Sequence, residues 1–78
     1  MQIEEIASKI KEAEKQNKKI AMFHFLSLIN ADEFRGVDAV QFCRDVGVRD
    51  SFATEFRKMI SLSQMIKDEG YILTKIGA

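Results

Sequence analysis

Few side chains in this 78-residue chain could do covalent or proton-transfer chemistry, and they are not grouped for it. His24 is the only histidine and lies in an apolar stretch with no Cys, Asp or Glu at ligand spacing, which reads as a core or boundary residue rather than a metal ligand. Asp32 and Glu33 are adjacent, so on a helix they point to different sides and cannot share a proton as a catalytic dyad. Cys43 is the only thiol; it could act as a nucleophile only with a base beside it, and it cannot form an internal disulfide. No glycine-rich phosphate loop is present. These residues therefore predict a noncatalytic protein with no cofactor and no metal.

The remaining chemistry is charge. Twelve basic and twelve acidic residues cancel, so no overall field draws the chain to nucleic acid or an anionic membrane, and any such attraction has to be local. Lys15, Lys18 and Lys19 cluster at the end of the first predicted helix, where positive charge complements the helix dipole. A phosphate-binding role for them would require that end to lie beside a groove-facing element. Met22, Met59 and Met65 could line an adaptable partner groove, but at helical spacing they read as core filler.

The positioning elements follow from length and periodicity. The chain has room for one small core, and 46% hydrophobic with 31% charged residues is an ordinary globular composition. With one cysteine and no basic start leading into an apolar run, the sequence predicts a reducing, cytoplasmic setting. The apolar stretch from Ile20 to Ile29, interrupted by His24 and Ser27, is about half of what a membrane span needs, so no membrane partner is expected.

There is no proline, and Gly36, Gly47, Gly70 and Gly77 are the main punctuation. Ile3, Ile6, Ile10, Ala13, Asn17 and Ile20 recur at steps of three and four, predicting an amphipathic helix over 3–20. The narrow stripe either docks on the chain's own core, the favoured reading, or forms a short coiled-coil seam with Lys9 and Glu14 as a g-to-e pair. A second helix, apolar on nearly all sides, is expected over 20–34 and ends at Gly36. A third runs from an Asp38 cap to Val46, and a fourth from an Asp50 or Ser51 cap to about Ile66. Tyr71 to Ile76 has the composition of one short strand.

The segment from Asp38 to Ile60 resembles the helix-turn-helix family. Cys43 takes the small packing position of the first helix, Gly47 marks the turn, and Phe42, Val46, Val48, Ala53 and Phe56 match the apolar positions. The match at Cys43 implies a buried, unreactive thiol. A wider stretch is similar to a helix-turn-helix-like domain of bacterial and phage proteins, through Lys19, His24, Asn30-Ala31-Asp32-Glu33-Phe34 and Thr54-Glu55-Phe56-Arg57-Lys58. Gly70-Tyr71-Ile72 resembles the step into a wing strand of winged-helix proteins, although eight residues after Gly70 are too few for a two-stranded wing.

The resemblance implies a groove-facing surface of Arg49, Asp50, Ser51, Thr54, Glu55 and Lys58, with Arg57, Lys67 and Lys75 helping from the flank. Arg49, Ser51, Thr54, Arg57 and Lys58 are the expected DNA contacts, while Asp50 and Glu55 oppose them. The expectation is thus an all-α, four-helix helix-turn-helix-like domain with a short C-terminal extended segment, comprising a helical arm over 1–19 and a core over 20–78. Its expected function is duplex DNA binding as a small bacterial or phage-type regulator, as a homodimer through the N-terminal helix. The alternative is a protein-interaction or oligomerisation module on the same fold, which charge neutrality favours.

Overall fold

The computed structural model describes residues 1–77, and among these the chain is helical with no strand. The elements are α1 (Ile3–Lys15), α2 (Lys19–Ile29), α3 (Ala31–Phe34), α4 (Ala39–Val46), a 3₁₀ turn over Asp50–Phe52, and α5 (Ala53–Asp68).

Each helix buries the face its periodicity selects. From α1, Ile6, Ile10 and Ala13 are buried, with Ile3 and Ala7 packed against the same cluster, so the stripe lies inside the chain's own core. From α4 come Ala39, Phe42, Cys43 and Val46; from α5, Ala53 and Phe56; and from α2, Phe23 and Leu26. The centre is aromatic. Phe42 stacks on Phe56 with ring centroids 4.4 Å apart and meets Phe34 at 5.2 Å and Phe23 at 6.2 Å, and Phe23 in turn meets Phe52 edge-on at 5.2 Å. Offset and edge-to-face contacts at these separations add attraction beyond area burial alone.

Four expectations about local structure need correction. The first helix stops at Lys15, not Ile20, because Asn17 adopts a left-handed conformation (φ 59°). The Lys18 amide then bonds back to the Ala13 carbonyl (2.8 Å) and the Asn17 amide to Glu14 (3.1 Å), closing the helix with the 6→1 and companion bonds of a Schellman end. The segment 20–34 is two helices, not one. They join at Asn30, whose backbone amide (3.1 Å) and Nδ2 (2.8 Å) both donate to the Leu26 carbonyl.

Neither Asp50 nor Ser51 caps α5, since no side-chain cap bond is present at that entry and the chain enters through a 3₁₀ turn. Tyr71 to Ile76 forms no strand: a lone strand has no ladder partner, and the side chains of Tyr71, Ile72 and Ile76 are largely exposed. Asp38 does cap α4, accepting the Gln41 amide at 2.8 Å. The second helix is apolar all round in sequence but not buried all round, because Ile20, Phe25 and Ile29 remain on its outer side.

Gly47 ends α4 at φ 82°, with the Val48 amide bonded to the Cys43 carbonyl at 2.9 Å and the Gly47 amide to Arg44 at 3.2 Å. A Cβ at this position would meet nothing within 4 Å. The whole cost of Gly47→Ala is therefore backbone conformation, and the variant is expected to lose about 1–2 kcal/mol. Urea unfolding followed by circular dichroism measures this, and an unchanged midpoint would show that the left-handed turn is not required.

Candidate nucleic-acid interface

The α4–turn–α5 unit is held by two small or flexible positions and an apolar seam. Cys43 has no exposed surface, and it sits in the cluster with Val46, Val48, Ala53 and Phe56. Burial is the main reason its thiol is pushed above its ordinary range, with Asp50 adding to the effect, so it is protonated and poorly nucleophilic. The chain turns at Gly47, and the 3₁₀ turn over Asp50–Phe52 then leads into α5 at Ala53.

The five expected contact residues are all exposed, but they do not form a single row. Ser51, Thr54 and Lys58, spaced three and four apart, lie along one ridge opposite the side of the buried Ala53 and Phe56 and the half-buried Ile60. Arg57 lies on one flank, where it lines a shallow cavity with Gly36, Val37 and Asp38 of the α3–α4 loop. Arg49, just before the 3₁₀ turn, faces the other end of the unit and shares a groove with Lys18, Lys19 and Phe52. The turn between α1 and α2 therefore lies beside the start of the α5 unit.

The two acidic residues of this surface are both engaged within the protein. Arg44, from the last turn of α4, reaches across the bend and donates from Nε (3.1 Å) and Nη2 (2.9 Å) to the two oxygens of Asp50. A bidentate guanidinium–carboxylate pair of this kind holds both partners in one orientation. It lowers the Asp50 carboxyl below its ordinary range and raises Arg44. Glu55 accepts from His24 Nε2 at 2.9 Å and from Lys58 Nζ at 3.3 Å; the His24 contact, then Lys58, holds its carboxyl below the usual range. No salt bridge engages Arg49 or Arg57 among the described residues.

Sequence reasoning missed Arg44 and the His24–Glu55 pair. Arg44 and Asp50 are opposite charges six residues apart across a glycine turn, a readable signal once the turn is recognised. His24 and Glu55 are 31 residues apart, and only the packing of α2 on α5 joins them. The pair is about one-third exposed on both sides. Away from this surface, Asp32 accepts from Lys67 and Arg35, contacts that lower its carboxyl in that order.

Among the described residues, no group of three or more His, Cys, Asp or Glu side chains is placed to hold a metal ion. No described helix is long and apolar enough to cross a membrane. Comparison with known proteins found no matching curated protein and no matching solved structure. One family matches, described as an HTH-like domain, and the match runs over residues 2–69, from before α1 to the end of α5. With the bend at Gly47, the buried Cys43 and most of the chain inside that match, this protein belongs to the family of HTH-like domains.

Proposed function

We propose that the protein binds duplex DNA, without catalysis, through the exposed side of the α4–turn–α5 unit, and acts as a small regulator. One observation carries the reading: the carboxylates that opposed it, Asp50 and Glu55, are each matched by internal cations, while Arg49 and Arg57 have no ion-pair partner among the described residues. A neutral chain thus presents a surface on which Arg44 and Lys58 answer Asp50 and Glu55, while Arg49 and Arg57 add two cations against the single neighbouring carboxylate of Asp38. Ser51 and Thr54 add hydroxyl donors near the start of the helix, where phosphate oxygens are favourably held. In this reading Arg49 and Lys58 contact phosphates or guanine edges, and Arg57 contacts phosphate from the flank.

A second copy, if DNA half-sites require one, needs a surface other than the α1 stripe, because Ile6, Ile10 and Ala13 are already covered by α2 and α4. The rival reading, a protein-interaction module on the same fold, is supported by the exposed apolar side chains of α2 and the C-terminal segment, Phe25, Ile29, Ile72 and Leu73.

A salt titration separates the two. Wild-type protein is expected to bind a mixed-sequence duplex at low salt. In the Arg49→Ala/Lys58→Ala variant the slope of log affinity against log salt should fall by roughly two, about one per phosphate contact removed. No wild-type binding at low salt would reject the DNA reading in favour of the interaction module.

A further inference from the structure

We infer that the groove between the α1–α2 turn and the start of the α5 unit is a second DNA contact, where Lys18 and Lys19 hold a backbone phosphate beside Arg49. The inference rests on the DNA reading above and adds to it a site outside the helix-turn-helix segment. The groove, of about 520 Å³, is lined by Lys18 and Lys19 on one wall and by Arg49 and Phe52 on the other. Cations 30 residues apart in sequence are thereby gathered on one surface.

Three features suit this groove to a phosphodiester. Its one acidic wall residue, Glu14, is matched by Lys19 at 3.4 Å, which leaves Lys18 and Arg49 without an ion-pair partner among the described residues. Lys19 is held in place as well as charged: its ammonium lies 6.0 Å from the centre of the Phe52 ring, and its side chain is only about one-third exposed. A cation already restrained loses less conformational freedom when it meets an anion. Finally, Arg49 belongs both to this groove and to the chain leading into Ser51 and Thr54, so the groove continues the proposed DNA surface. An open groove with lysines on its rim would hold one phosphate among many on a polyanion, whereas a free phosphate would need an enclosed site.

The test is a salt titration by fluorescence anisotropy, using a mixed-sequence duplex and the full chain. Lys18→Gln/Lys19→Gln is compared with Lys9→Gln/Lys11→Gln, which removes the same charge from exposed α1 side chains lining other cavities. The groove variant is expected to lower the salt slope by roughly one to two and to bind about tenfold more weakly at physiological salt, with Lys18→Arg/Lys19→Arg restoring both. The control pair should lose much less.

If the wild type binds but the groove variant and the control lose equally, the groove contact is overturned while the helix-turn-helix contact stands. If the wild type does not bind the duplex even at low salt, the DNA reading itself fails and this inference fails with it. If wild-type protein prefers phosphatidylserine vesicles to the duplex and the groove variant loses that binding, the groove serves a lipid surface and the proposal is overturned. Matching circular dichroism melts for all variants exclude misfolding as the cause.

Discussion

Phe42→Ala is expected to leave the protein largely unfolded at physiological temperature. The ring is almost completely buried and touches Phe23, Phe34 and Phe56, which belong to three other helices. Truncating such a residue removes its transfer free energy and leaves a cavity that its neighbours fill only partly, a loss of about 3–5 kcal/mol. A domain of this length has only about 4–12 kcal/mol of total stability. The natural control is Phe25→Ala, because Phe25 is 53% exposed and should change stability by less than about 1 kcal/mol. Thermal unfolding followed by far-ultraviolet circular dichroism measures both. Equal midpoints for the two variants would mean that the aromatic cluster does not hold the helices together.

A chain beginning at Lys18, and so lacking α1, is expected to lose cooperative folding. Ile6 and Ile10 are buried against α2 and α4, and removing them uncovers Phe23, Phe42 and Val46, side chains now nine-tenths or more covered. The single substitution Ile10→Ala should already cost about 2–5 kcal/mol, and the truncation combines that loss with those of Ile6 and Ala13. Amide chemical-shift dispersion and the sharpness of the urea transition report the outcome. A sharp transition close to the wild-type midpoint would make residues 1–19 a separable arm, whereas collapse would make α1 an integral layer of one domain.

This second experiment also bears on association. A stripe of isoleucines at steps of three and four is equally readable as a coiled-coil seam or as a docking face, since both need the same periodicity. What distinguishes them is whether a complementary apolar surface exists in the same chain. Here α4 supplies it, through Phe42, Val46 and their neighbours.

Much of the fold was legible before any coordinates. Periodicity located four of the five helices, and the small residue at Cys43 with glycine at 47 marked the bend, because packing distance and backbone handedness act on residues close in sequence. The misreadings were also local in origin. Asn17 in a left-handed conformation does the work more often done by glycine, and Asn30 turns its side-chain amide back onto the Leu26 carbonyl, so neither stop carries the usual punctuation. The strand expected at Tyr71 to Ile76 failed for another reason: composition favours extension, but a strand exists only where a partner offers its backbone.

The sequence alone determined which residues are apolar, which stretches are helical apart from their ends, and where the chain bends at Gly47, since each depends on neighbours within a few positions. Only the tertiary structure decided the long-range part of the electrostatic character of the candidate site. The pairing of Glu55 with Lys58 and that of Asp50 with Arg44 are local to α5 and to the bend, whereas Glu55 gained His24 only when α2 packed on α5. Likewise Lys18 and Lys19 became neighbours of Arg49 only when the α1–α2 turn came to lie beside the start of the α5 unit. Charge interactions fall off with distance in space, and separation along the chain says little about that distance.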